Sequence, residues 1–446
     1  MTALAPHAER FRPALPAMPR RSPRPAGAKS VLLGLFVVLL VLPVPDVPGW
    51  GISLSTLVFC FLGLQLAAAS RRISLRPYVL WILLAALIWM GRFLSIAGNV
   101  LANNLADLSS SDVLALLRFA FWMTVFVGTA FVASQNHMGA WLCSFLGVLL
   151  AALGLLRLAE AFALGTWGPA EAILRTPNDY GLLFSTFTPF LVWLALTKRG
   201  WRQLACSLCS CMVLIAVAAN GSRSSWVAVA LGLLLTVGLF ACTNRHALRR
   251  TAAAIAGLAA AALLSATIIP DRLWTPVKER FATLDHLEQD KPYAVRLLML
   301  QKAANLFADN PVFGIGAGRF RSTNAALVVP ALLDHKSRAR LDTKSAHNSY
   351  AAALAETGAV GAAPLLLFLL ILLFRGAASV WRGVRRGEDW IVPVYVSFVC
   401  MSVHLWTLAG LTGSLPWFVY GLLAAVIHQS RRREFGVWRR GSVAQA

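Results

Sequence analysis

Charge is scarce in this chain, and negative charge is the scarcest. Of 446 residues only 13% are charged, and 19 acidic residues stand against 41 lysines and arginines. A soluble domain carries about 25% charged residues, so the composition excludes a soluble globular fold. Cysteine is also sparse: Cys60, Cys143, Cys206, Cys209, Cys211, Cys242 and Cys400 all fall in apolar runs. Cys206, Cys209 and Cys211 have metal-like spacing, but no His or Cys pair elsewhere completes a set, so packing is the better account and no disulfide framework is expected. Acidic residues in the one long polar stretch (Asp285, Glu288, Asp290, Asp309, Asp334, Asp342) lack the spacing of a divalent-metal loop. Neither a metal site nor a cofactor is predicted.

What the chain does have is hydrophobic length. Apolar residues make up 58% of it, in recurring runs of about 20 residues, each enough to cross a bilayer core as a helix. Spans are predicted near 31–44, 53–69, 78–98, 113–134, 139–164, 180–197, 203–219, 225–243, 251–269, 358–375, 391–412 and 414–429. The predicted fold class is an all-α polytopic membrane protein of about twelve transmembrane helices, with one large helical loop between spans 9 and 10. Its organisation runs from a disordered basic tail (1–30) through spans 1–9 (31–269), the loop (270–357) and spans 10–12 (358–429) to a second basic tail (430–446). The run at 31–44 resembles a signal-peptide core, but no small-x-small cleavage site follows, so a retained span is expected.

The net charge of +22 does not point to nucleic acid. Basic residues cluster in the tails and in alternate loops, around Arg71, Lys198, Arg249, Arg385 and Arg432, whereas the opposite short loops hold only Arg175 and Arg223. Positive loops face the cytoplasm, which places both termini there and the long loop outside. Arg175, Arg223, Arg280, Arg296, Arg319 and His347 thereby share one outward-facing layer, apposed to membrane lipid.

These residues are the ones that offer chemistry. Arg223 sits in the polar turn Ala219-Asn-Gly-Ser-Arg-Ser-Ser-Trp226, on the face where an orientation signal does not belong. It either snorkels to headgroups or clamps an anion, since a guanidinium binds phosphate bidentately and never deprotonates. Arg175 and Asn178 flank Pro177 at a span mouth, with Asn178 either capping a helix or touching substrate. Arg296 stands near the start of a helical pattern (Leu297, Leu300, Ala303, Ala304, Phe307) that stops at Asn310-Pro311. Arg280 is solvated or a further anion contact. Gly314-Ile-Gly-Ala-Gly318 lacks the preceding strand and Lys-Ser/Thr of a nucleotide loop and reads as a flexible turn beside Arg319. His347 follows Ser345, a good N-cap, in the first turn of a predicted helix 346–357. A helix start and nearby arginines disfavour its cation, leaving a neutral imidazole able to accept a proton. It is either a structural histidine or a general base.

At these residues the chain resembles the O-antigen ligase family, within the group of O-antigen polymerases and ligases. The matching positions are Gly221-Ser-Arg223, Arg296, Asn310-Pro-Val-Phe-Gly-Ile-Gly316, His347-Asn-Ser-Tyr350 and Glu356-Thr-Gly358 with Gly361, over residues of about 170–375. Asn310 departs from the pattern, where His is common. The resemblance implies a multi-pass protein of the bacterial inner membrane with a periplasmic loop. It implies transfer of O-antigen polysaccharide from undecaprenyl pyrophosphate to lipid A–core, without metal and with inversion. His347, Arg223 and Arg296 would be catalytic, and Arg175, Asn178, Arg280, Arg319, Asn348 and Tyr350 would bind substrate. An O-antigen polymerase, a protein O-oligosaccharyltransferase and a lipid-linked glycan transporter stay open as alternatives.

Overall fold

A computed structural model describes residues 78–102, 110–134, 138–165, 177–242, 245–268, 270–282, 290–325, 344–411 and 413–443, with a few isolated positions besides. The predicted spans at 31–44 and 53–69 lie outside these segments. Among the described residues the regular structure is helical throughout. It comprises α1 (Val79–Ala102), α2 (Ser110–Ala133), α3 (Met138–Leu164), α4 (Pro177–Thr197), α5 (Trp201–Ala219), α6 (Arg223–Ala241), α7 (Arg245–Ile268), α8 (Asp271–Ala282), α9 (Lys291–Asp309), α10 (Ser349–Arg385), α11 (Ile391–His404) and α12 (Ser414–Val443). Seven of these, α1 to α6 and α10, are long and apolar enough to cross a membrane; α7 and α11 offer shorter apolar stretches. The chain is a polytopic helical membrane protein.

α4 is the helix the others enclose. It packs against α3, α5, α6 and α11, and 94% of its apolar window is buried. Two of its buried hydroxyls bond within the helix: Ser185 Oγ donates to the Leu182 carbonyl at 3.1 Å and Thr188 Oγ1 to that of Phe184 at 2.6 Å, a common arrangement for hydroxyls in an apolar medium. On the far side α10 runs along α1, and α12 along α2. A Cβ on Gly91 of α1 would meet Gly361 Cα of α10 at 2.6 Å, so glycine is what lets these two backbones touch. Trp81, Phe126, Phe368, Trp417 and Tyr420 fill the space between them, edge to face.

The polar segment before α10 folds onto that helix. Gly358 (φ 58°, ψ −163°) breaks α10 eight residues before Leu366, in a region of backbone space open essentially to glycine. The break strands carbonyls and amides that a continuous helix would pair. The Pro311–Gly316 turn takes them up: Ile315 and Gly316 donate to the carbonyls of Ala355 and Glu356, both at 3.0 Å. In return Ala359 and Val360 donate to Pro311 and Val312 at 2.9 and 3.1 Å. The turn expected to be flexible is therefore a backbone clasp.

A second core lies under the clasp. Leu298, Met299, Ala303 and Leu306 of α9 pack with Ile315, Phe320, Ala346 and Ala355. The apolar face is not quite the one predicted, because Leu297 and Leu300 are exposed and Leu298 and Met299 take the inward positions. Periodicity alone could not choose between adjacent stripes on a helix whose Val295–Leu300 run is apolar except for Arg296.

Candidate functional site

The starts of α4, α6, α9 and α10 and the ends of α5, α8 and α11 meet at one end of the bundle. Gly221 (φ 67°) turns the chain between α5 and α6, and Ser222 opens α6. Its hydroxyl donates to Asn178 Oδ1 of α4 at 3.3 Å and lies 3.0 Å from Ser224 Oγ. Arg223, the first residue of α6, reaches across to the start of α9, where its Nη1 donates to Asp290 Oδ2 at 2.7 Å in a largely buried ion pair. Trp226 stacks on Phe281 of α8, with ring centroids 4.1 Å apart. The start of α6 thus holds α4, α8 and α9 at once.

His347 arrives from the other side. The helix expected to begin after Ser345 begins later, and its cap is Asn348, whose Oδ1 accepts from the amides of Tyr350 and Ala351 at 3.0 Å each. His347 therefore precedes α10, and it is the one non-glycine residue of positive φ among those described, at 48°. That conformation is uncommon outside glycine and tends to occur at functional positions. Tertiary bonds impose it: Ser349 N donates to the Leu405 carbonyl at 2.9 Å, Gly410 N to Ser349 Oγ at 2.8 Å, and Tyr350 OH to the Ser402 carbonyl at 2.9 Å. The end of α11 holds the first turn of α10 and aims the histidine.

The His347 ring is half-buried, and its Nδ1 is buried with no hydrogen-bond partner among the described residues. Burial, then the positive charges of Arg296, Lys344 and Arg321, hold it below the ordinary histidine value of 6.5. The same Arg296 lies close enough to act on His404, the last residue of α11. His404 is fully buried, its Nδ1 is 3.5 Å from Ser185 Oγ, and its ring borders Gly181. Arg296 is therefore a neighbour of both histidines.

The structure brings Arg223, Asn178, Arg296 and His347 to this end of the bundle. It turns Asn348 and Tyr350 to holding α10 in place. Arg319 is near but separate: its Nε and Nη2 donate to the two oxygens of Asp112 at the start of α2, at 3.2 and 2.8 Å. Arg175 and the side chain of Arg280 lie outside the described residues. Sequence reasoning missed Asp290 as the partner of Arg223, and it missed Arg92, Asp112 and Glu356. Arg92 and Glu356 approach to 3.9 Å with both side chains nearly buried, and Arg92 lies over the Phe119 ring at 4.2 Å. An arginine inside an apolar span is a signal in itself. Among the described residues no three of His, Cys, Asp or Glu gather as a metal site would require.

A cavity of about 800 Å³ occupies the flank of this region. Arg92, Arg118, Arg319 and Arg321 line it with Asp112 and Glu356, and so do Ser345, Ala346 and Ser349, the chain neighbours of His347.

Residues 208–366 match a family model described as O-antigen ligase, covering about a third of the chain. Arg223, Asp290, Arg296, the clasp and His347 all fall within the matched segment. No curated protein matches the chain.

Proposed function

We propose that the protein is an O-antigen ligase, transferring a glycan from undecaprenyl pyrophosphate to a sugar hydroxyl of lipid A–core. The transfer takes place on the periplasmic face of the bacterial inner membrane, with about twelve spans and both termini cytoplasmic. The observation that carries this reading is the meeting of Arg223, Arg296 and His347, from three separate segments of the matched region, at one end of the bundle.

The chemistry follows from their types. A pyrophosphate leaving group is a weak base, so it needs cationic stabilisation and no general acid. Arg223 and Arg296 supply that charge, with Arg175, Asn178 and Arg280 as further substrate contacts. The acceptor oxygen bonds to the anomeric carbon as the bond from that carbon to the pyrophosphate oxygen breaks. The bonding electrons leave with undecaprenyl pyrophosphate, and the hydroxyl proton passes to neutral His347. One displacement inverts the anomeric centre.

The test is to place His347→Ala and Arg223→Ala in a strain lacking its ligase and to examine lipopolysaccharide and lipid-linked polymer. Removing a general base lowers rates by about 10²- to 10⁴-fold. Capped lipopolysaccharide should therefore disappear from the ladder while lipid-linked polymer of normal length accumulates. Polymer cut to single repeats would identify a polymerase. Full capping by His347→Ala would remove the base from the mechanism and leave a transporter, which needs charge but no proton acceptor.

A further inference from the structure

The transfer mechanism places one substrate's phosphates at Arg223 and Arg296 and gives the 800 Å³ cavity no role. Its volume is that of a ligand pocket rather than a packing defect. Its charges fall into two kinds. Arg319 and Arg92 are committed to Asp112 and Glu356. Arg118 and Arg321 are exposed, and neither has an ion-pair partner among the described residues. Two uncommitted guanidiniums at the rim of a cavity whose carboxylates are already engaged form a binding surface for anions.

The position of the cavity says more. Arg118 shares one face of α2 with Leu114, which is 49% exposed and lies one helical turn before it. In a membrane-spanning helix such a face meets lipid, so the cavity rim lies where an apolar anchor gives way to a polar headgroup. The inner wall is the segment that presents His347, and Ser345, Ala346 and Ser349 line that wall with small side chains. A glycan in the cavity could bring a hydroxyl past them to the imidazole.

Resting on the ligase reading, we infer that this cavity is the acceptor pocket: it takes a membrane-anchored glycan bearing phosphate groups, which Arg118 and Arg321 hold while a sugar hydroxyl meets His347. The two substrates then approach from opposite sides of residues 345–349. The shared chemistry is an anionic phosphate group, which could come from the acceptor, from the donor's pyrophosphate or from bulk phospholipid.

Binding to the purified full chain in phosphatidylcholine nanodiscs separates these sources. The probes are lipid A–core, the same molecule after phosphatase treatment, undecaprenyl pyrophosphate and phosphatidylglycerol. The variants are Arg118→Glu, Arg321→Glu and the double charge reversal. Arg118 and Arg321 are exposed, and a thermal melt of each variant, compared with the parent, is the check on folding. The expected result is at least a tenfold loss of lipid A–core affinity in the double variant, unchanged undecaprenyl pyrophosphate affinity, and weak binding of the dephosphorylated acceptor to every form. Lipid A–core binding that ignores both arginines would overturn the pocket while leaving the ligase reading intact. Phosphatidylglycerol competing equally with lipid A–core would make the cavity a lipid-headgroup site and overturn it too. Loss of undecaprenyl pyrophosphate binding in the double variant would assign the cavity to the donor. No lipid A–core binding by the unaltered protein would overturn both readings.

Discussion

Two basic regions flank the short segment 345–349, and they are built in opposite ways. On the cavity side Arg92 and Arg319 are each matched to a carboxylate from a distant part of the chain, so two of the four arginines there are structural. On the other side Arg296 neighbours two histidines, and burial leaves the Nδ1 of His347 without a partner among the described residues. Matched arginines set the shape of a wall. An orphaned imidazole beside a cation is set up for a proton that arrives with something else. The difference separates residues that hold the site from residues available to a ligand, although all of them look alike in a list of arginines.

The strongest way to break the comparison is to remove the partition itself. In Gly358→Ala the new Cβ would lie 2.3 Å from the Val312 carbonyl oxygen and 2.6 Å from Gly314 N. The backbone conformation alone disfavours alanine by about 1–3 kcal/mol, before the clash is counted. The variant should melt well below the parent in detergent and lose affinity for donor and acceptor together. Loss of only one would mean that the clasp serves only one side.

Arg319→Ala should act on one side only. It leaves Asp112, 2% exposed, without its bidentate partner, and breaking such a buried pair costs on the order of 3 kcal/mol. Asp112→Asn combined with Arg319→Ala should recover part of that stability in a thermal melt, because the stranded charge is then gone. Equal melting of the single and double variants would show that the pair is not coupled.

The smallest and sharpest effect concerns pH. His347 is held below the usual histidine range first by burial and then by Arg296, so the base form persists to lower pH than in a free histidine. Transfer activity should therefore fall only below about pH 6.5. In Arg296→Gln the residual activity should lose its acid limb at higher pH than the parent, since a nearby positive charge no longer opposes protonation. A limb that stays in place would detach Arg296 from His347.

Much of this was legible from residue patterning. Hydropathy located the helices from α1 to α6 to within a few residues, and an arginine on the wrong face for orientation singled out the turn at Arg223. His347 stood out by its context. What could not be read were partnerships across long separations. Arg319 and Asp112 are 207 residues apart, and nothing local in either segment announces the other. The cap of α10 was misplaced for a related reason. Ser345 is a good N-cap on local grounds, but Ser349 and Tyr350 bond to residues 402–410, and those bonds delay the helix and force His347 to positive φ. The roles of Asn348 and Tyr350 were hidden by the same contacts.

The ion pair between Arg223 and Asp290 carries a consequence for how an anion enters. The guanidinium does not wait in an empty seat, because a carboxylate 2.7 Å away already occupies one of its edges. A phosphate arriving at that edge takes part in an exchange of one anion for another. Its affinity is set by the difference between the two interactions, not by the strength of the new one. The displaced carboxylate is the N-cap of α9, the helix that carries Arg296. A ligand that displaced it would therefore act on the first turn of the helix bearing the second cation.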